Sequence, residues 1–241
     1  DLVSTFSSSV DSKFKKYDGG PKKKRVLTKK VGLNRFVWNM RYDKLKGIPD
    51  VYIEGSYEGH QAIPGEYKVV LSYLDTELFI DCEIIENPHF SLSNTEYESY
   101  HNFMSEAEKI YNEMTELTNE YQVKKNKIID FKSKLSAKEK IILNDINSII
   151  TEIKKWDEIM VQRLSKAYDD VENFENGFTA HYLHLLNEVD SGIPKLTEGA
   201  KLKLIELNNQ WKVYKNSAKN LIDNKIKKFN MKYKIDGILP L

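Results

Sequence analysis

Apolar and polar residues alternate along several short stretches of the first ninety residues. In residues 34–42 every second side chain is large and apolar, which is the period of a half-buried β-strand. These side chains are Phe36, Trp38, Met40 and Tyr42. The alternation recurs in residues 67–73 and 78–84, where a tight turn at Asp75-Thr76 reverses the chain. We therefore predict a strand at 34–42 and a hairpin at 67–84.

Two further stretches, residues 2–7 and 25–30, have the composition of strands. Short strands separated by turns are typical of antiparallel sheets that pack face to face. We expect residues 1–90 to form an Ig-like antiparallel β-sandwich, with Phe36, Trp38 and Met40 in its core.

The hydrophobic period changes near residue 90, from two residues to about three and a half, and this predicts amphipathic helices. Ser93 and Glu96 have the spacing of a capping box, in which each side chain binds a free backbone N–H of the other residue. Ser136 and Glu139 repeat the spacing. The pattern predicts a long first helix and a second helix that returns antiparallel to it.

A shorter third helix is predicted to end at residues 191–194, and Thr197 is the predicted N-cap of a last long helix. Each helix has one apolar seam and an outer face rich in Lys, Glu and Asn. We expect residues 91–241 to form an up-down four-helix bundle, partly extended into a coiled-coil-like arm.

Composition narrows the classes of function. The 37 Lys and Arg residues nearly balance the 36 Asp and Glu residues, so no overall charge attracts nucleic acid. Cys82 is the only cysteine, which excludes a disulfide within these residues and a cysteine-based zinc site. No run of about 18 apolar residues occurs, so we expect no membrane-spanning segment.

The sequence contains no recognisable catalytic motif. It lacks a glycine-rich phosphate loop, a nucleophile elbow and an HExxH sequence. His181, His184 and Glu188 have a spacing that can face a metal ion, but they flank an apolar stripe and we interpret them as its polar rim. We predict no enzymatic activity, no cofactor and no metal ion.

Three residues are candidates for contact with a ligand. Tyr52 and Tyr57 lie in a segment without a clear period, where an aromatic ring can stack on the apolar face of a sugar. Arg41 is the candidate for binding the sugar hydroxyls.

Two motifs resemble a known family. Gly-Leu-Asn-Arg-Phe-Val-Trp-Asn-Met-Arg-Tyr at residues 32–42 and Pro-Gly-Glu-Tyr-Lys-Val at 64–69 resemble the C-terminal region of bacterial sortilin-like, BNR-repeat propeller proteins, often labelled glycosyl hydrolases. The similarity continues at residues 189–192 and 197–200. Asn39 stands where that family more often has Asp. The pairing of the tryptophan motif with Pro-Gly-x-Tyr also resembles the Ig-like domain of flagellar hook-capping proteins.

The resemblance implies that a β-propeller precedes this chain in a longer parent protein and holds any hydrolytic site. It also implies an exported bacterial protein, in the periplasm, on the cell surface or secreted. The chain starts without Met or a signal pattern, so we expect it to be a piece of that parent.

The leading hypothesis is a non-catalytic C-terminal accessory module with a structural or protein-interaction role. Its partner is expected to be the propeller of the parent, another protein or a glycan. The first alternative is a carbohydrate-binding module of a glycoside hydrolase, and the second is a stand-alone hydrolase.

Overall fold

The computed structural model describes residues 2–136 and 138–233, apart from the side chains of residues 222 and 223. The chain is mostly helical and carries one two-stranded sheet within these residues. The elements are β1 (Gly65–Tyr73), β2 (Thr76–Ile84), α1 (Asn94–Lys132), α2 (Lys140–Met160), α3 (Asp170–Asn173), α4 (Phe178–Asp190), α5 (Glu198–Asn220), a π-helical segment (Leu221–Ile226) and α6 (Lys227–Tyr233).

Helix α1 begins where the sequence predicts. The Glu96 backbone N–H donates to Ser93 Oγ, and the Ser93 backbone N–H donates to Glu96 Oε2 at 2.9 Å, so the capping box is complete. The helix continues for 39 residues. Its apolar seam is buried along its length: Tyr100, Met104, Ala107, Tyr111, Met114, Tyr121 and Ile128.

The other predicted helix starts are also present, with one change. Thr197 caps α5 by accepting from the backbone N–H of Ala200 at 3.1 Å. At the second predicted capping box, Ser136 N–H donates to Glu139 Oε2 at 2.8 Å, but the N-cap of α2 is Glu139, without a side-chain cap. Residues 234–241, the end of the second predicted domain, lie outside the described residues.

Side-chain contacts show which part of α1 each of the other helices lies beside. Tyr111 of α1 contacts Tyr182 of α4, and Tyr121 of α1 contacts Trp156 of α2. Tyr121 Oη also donates to the carbonyl of Ala218 in α5. Helix α4 therefore lies beside the first half of α1 and α2 beside its second half.

The bundle has three helices in cross-section rather than the four of the predicted up-down bundle, because α2 and α4 follow each other along one side. Thr179, near the start of α4, donates its hydroxyl to the carbonyl of Met160, where α2 ends. Both α2 and α4 pack against α1; α4 also packs against α5, and α2 against the π-helical segment. No helix in the described part of the chain has the length and hydropathy needed to cross a membrane, as the sequence predicts.

The segment before the hairpin, residues 41–61, packs into the helical core. It has no regular secondary structure except a single bridge between its two ends, Arg41 and Gln61. Its apolar side chains nevertheless belong to the same buried cluster as the helices: Leu45, Ile48, Val51, Ile53 and Tyr57. Backbone groups in this segment bind α1 side chains, since Asn112 accepts from Lys46 N–H at 2.8 Å and Asn119 donates to Gly47 O at 3.0 Å. The core thus crosses the predicted boundary at residue 90.

The hairpin is present nearly as predicted. Strands β1 and β2 pair antiparallel, with Tyr73 opposite Thr76 and Gly65 opposite Ile84. The turn therefore lies at Leu74-Asp75, one residue before the predicted position, and Leu74 adopts a φ of 52°.

The predicted Ig-like β-sandwich is wrong, because among the described residues the chain forms only this two-stranded sheet. Residues 34–42 alternate in hydrophobicity but do not form a strand, and Met40 has a left-handed φ of 54°. Phe36 packs on Phe6 and Trp38 on Tyr67, so the aromatic side chains find separate contacts. Residues 2–7 and 25–30 share one backbone hydrogen bond, from Leu27 N–H to Ser7 O. Alternation makes one face apolar but does not supply a second sheet to cover it.

Trp38 is half-buried rather than a core residue, and this changes the expected effect of Trp38→Ala. Its Nε1–H donates to the carbonyl of Arg41 at 3.0 Å, and its ring meets Tyr67 edge-on. We expect the variant to lose about 1 to 2 kcal/mol of unfolding free energy in urea titration, less than the 3 to 5 kcal/mol typical of a buried tryptophan. A loss above about 3 kcal/mol would show that Trp38 is fully packed.

Candidate functional site

The two faces of the hairpin differ in chemistry. Because side chains alternate across a strand, the register places one set of cross-strand pairs on each face. One face carries mainly apolar side chains: Tyr67, Val69, Leu71, Tyr73, Leu78, Ile80 and Cys82. The other carries Glu66, Lys68, Val70, Ser72, Glu77, Phe79, Asp81 and Glu83. We call them the apolar face and the polar face.

The polar face is largely satisfied within the hairpin. Ser72 donates to Glu77 at 2.9 Å, Lys68 lies 3.9 Å from Asp81, and the Lys68 ammonium sits over the Phe79 ring at 4.6 Å. These are ordinary cross-strand contacts of a solvated surface.

The apolar face is not covered. Val69, Leu71, Tyr73, Leu78 and Ile80 are each more than half exposed, and Cys82 is exposed as well. Isolated apolar residues on a surface are common, but a contiguous apolar patch usually marks a site of interaction. A two-stranded hairpin on its own is also marginally stable in water. The apolar face is therefore the part of the described surface that most clearly needs a partner.

Arg41 and Asp190 hold the base of the hairpin on the helical bundle. The Arg41 guanidinium binds Asp190 Oδ2, at the end of α4, and donates to the carbonyl of Gly59 at 2.9 Å. Tyr100 Oη of α1 donates to Asp190 Oδ1 at 2.5 Å. Burial, reinforced by the charge of Asp190, raises the pKa of Tyr100, so this hydroxyl remains a donor. Arg41 bridges Gln61, four residues before β1, so the network joins the chain that leads into the hairpin to two helices.

A second buried network lies beside the first. Glu108 of α1 accepts the backbone N–H of His60 at 2.7 Å and lies 2.9 Å from its ring Nδ1. His60 Nε2 lies 3.0 Å from His101 Nδ1. The Tyr42 ring stacks on His60 with centroids 4.1 Å apart and planes 8° from parallel. His60 is almost fully buried, and Glu108 is the partner of two of its buried polar groups.

The sequence offered one unused signal for this second network. Glu108 is four residues from Met104 and three from Tyr111, so it falls on the apolar seam of α1. A carboxylate at such a position needs a buried partner. The sequence did not identify His60 as that partner, because the two residues are 48 positions apart.

The three predicted ligand residues lie in different surroundings. Arg41 binds Asp190, Tyr57 is buried against Tyr111, and Tyr52 is partly exposed, edge-on to Tyr168. Within the described residues, no hydrogen bond or ring contact joins the three. Tyr57 offers no ring face to solvent in this arrangement, and ligand binding at Tyr52 or Arg41 stays a prediction.

The clefts of the described surface contain charges that are already paired. A cleft of about 450 Å³ lies between the end of α4 and the start of α5; of its lysines, Lys195 pairs with Glu96 and Lys203 with Glu206. A smaller cleft beside Tyr42 contains Lys24, which pairs with Asp43. The predicted polar rim on α4 is exposed at His184 and Glu188, 4.0 Å apart.

Within residues 2–136 and 138–233, no group of three or more His, Cys, Asp or Glu side chains is arranged to bind a metal ion. The resemblance to sortilin-like propeller proteins stays a prediction from the sequence motifs. No family model, curated protein or solved structure matches this chain.

Proposed function

We propose that this chain is a non-catalytic accessory module that contacts another protein through the apolar face of its hairpin. The observation that carries the proposal is the exposure of that face on a hairpin whose base is tied to a helical bundle. The bundle buries its own apolar seams and binds the chain that leads into the hairpin, so its proposed role is to anchor the hairpin. An anchor lowers the entropy lost on binding.

The proposed partner is the β-propeller that the sequence resemblance implies in the parent protein. A propeller offers sheet edges and strand faces, and an apolar strand face is covered well by another sheet. The polar face carries Glu66, Glu77, Asp81 and Glu83, and Lys68 is the single cation of the hairpin. The partner is therefore expected to present an apolar surface with basic residues around it. Nucleic acid, which is negatively charged, is a poor partner for this acidic hairpin. We also propose, from the same resemblance, that the parent protein is exported.

Adjacent valines on opposite faces provide a matched test. Val69 on the apolar face is 51 % exposed and Val70 on the polar face is 52 % exposed. Val69→Asp and Val70→Asp therefore change strand propensity and exposure almost equally. We expect the chain to bind the separately purified propeller of the parent. Val69→Asp should weaken that binding at least about tenfold by calorimetry, because it places a charge in the apolar contact, whereas Val70→Asp should change it less than about twofold.

Equal effects of the two variants, or no binding by the wild-type chain, would reject the apolar face as the contact. Hydrolysis of aryl glycosides that disappears when one Asp or Glu of this chain is replaced would reject the non-catalytic assignment. Saturable glycan binding that Tyr52→Ala removes would instead support the carbohydrate-binding module.

A further inference from the structure

The contact between His60 and His101 restricts where protons sit. An ionised carboxylate only accepts hydrogen bonds, so Glu108 requires a proton on His60 Nδ1. His60 Nε2 then faces His101 Nδ1 at 3.0 Å, and one of these two nitrogens must carry a proton. At neutral charge His101 Nδ1–H donates to the lone pair on His60 Nε2. The pair also accommodates one added proton, but two added protons would point two N–H groups at each other.

The surroundings of His101 disfavour added charge on its ring. Burial, followed by the neighbouring ring of His60, lowers the pKa of His101 below its ordinary value of 6.5, while Glu108 acts in the opposite direction. From the segment before β1, Tyr42 faces the pair, and Arg41 lies next to it in sequence but is bound to Asp190 of α4. From α1, the facing polar groups are Tyr100, Ser105 and Glu108.

The His60–His101 pair joins the start of the hairpin to the helical bundle, so a change in its protonation acts on that junction. His60 lies one residue before Gln61, which bridges Arg41, and five residues before β1 begins at Gly65. His101 and Glu108 belong to α1. We propose that the His60–His101 contact is a proton-sensitive clamp that fastens the base of the hairpin to the helical bundle and loosens it in acid. The clamp acts whatever the hairpin binds, so it goes beyond the proposed function.

The direction of the pH effect follows from the proton balance. Between the lowered pKa of folded His101 and its ordinary value of 6.5, the unfolded chain binds more protons than the folded chain. Stability is therefore fully present above about pH 6.5 and is lost as the pH falls through the lowered pKa. The 3.0 Å contact accommodates one added proton, whereas two unfolded histidines together bind two in acid, so the folded chain binds one proton fewer. One linked proton changes the folding constant by up to about tenfold per pH unit.

The test compares the pH profiles of three proteins between pH 5 and 8. The wild type should show faster backbone hydrogen exchange, relative to the rate of an unfolded peptide, at residues 57–66 below pH 6.5. His101→Gln keeps a donor for His60 Nε2 without a titrating ring, so the extra exchange in acid should fall at least about threefold. His184→Gln, at an exposed position on α4, should match the wild type. An unchanged acid response in His101→Gln would overturn the clamp.

A second measurement needs no variant. Long-range ¹H–¹⁵N spectra of the wild type at pH 7.5 should show His60 protonated on Nδ1 and unprotonated on Nε2, with His101 protonated on Nδ1. The opposite tautomer at His60, or a doubly protonated His60 at this pH, would overturn the proposed arrangement even if His101→Gln fails to fold.

Discussion

Glu108→Ala is expected to lower the free energy of unfolding by about 3 kcal/mol, because it leaves two buried donors of His60 without an acceptor. The backbone N–H and the ring Nδ1–H of His60 both point at this carboxylate, and His60 is almost fully buried. Chemical unfolding followed by circular dichroism measures the loss. The loss should be accompanied by faster hydrogen exchange in residues 57–62, which the network holds against α1.

Glu106→Ala is the matched control, since Glu106 is on the same helix and exposed. Its stability should stay within about 0.5 kcal/mol of the wild type. Glu108→Gln should be milder than Glu108→Ala, because the amide keeps one acceptor oxygen for His60. If Glu108→Ala is no worse than Glu106→Ala, the buried network does not hold the segment before the hairpin.

Ile48→Ala is expected to cost about 3 kcal/mol, although Ile48 lies in a segment without regular secondary structure. Its side chain is 0 % exposed and belongs to the same apolar cluster as the helices. Removing buried methylene groups loses their transfer free energy and leaves a cavity that the bundle fills only in part. Urea titration monitored by tryptophan fluorescence and by circular dichroism measures the change, and both probes should report one transition.

Val31→Ala is the control for Ile48→Ala, because Val31 lies in the same irregular part of the chain and is fully exposed. It should change stability by less than about 0.5 kcal/mol. A cost below 1 kcal/mol for Ile48→Ala, or two separate transitions, would show that residues 45–57 are not part of the helical core.

The elements that could be predicted from the sequence are those that depend on neighbours along the chain. The capping box at Ser93 and Glu96, the cap at Thr197 and the hairpin turn each involve residues within about four positions of one another. The heptad seam of α1 likewise depends on residues three or four apart. For these features local geometry and side-chain period are sufficient, and the structure has them at or within a few residues of the predicted places.

The prediction of a β-sandwich was wrong because a sandwich depends on contacts between distant parts of the chain. The alternation in residues 34–42 shows that one side of the chain is apolar, but many arrangements can bury such a side. In the structure Phe36 and Trp38 turn to different aromatic partners, and Met40 takes a left-handed backbone conformation. No local signal distinguishes these separate contacts from pairing with a distant strand.

The candidate site likewise has a local part, the hairpin, and a long-range part, the two networks at Arg41 and His60. The sequence by itself determined the hairpin and the chemistry of its two faces, because strand alternation and a two-residue turn are local properties. Only the tertiary structure decided that the apolar face stays uncovered, and that Arg41 meets Asp190 and His60 meets Glu108 and His101. Those contacts join residues 41 to 149 positions apart, and their formation depends on how the helices pack rather than on any pattern within one segment.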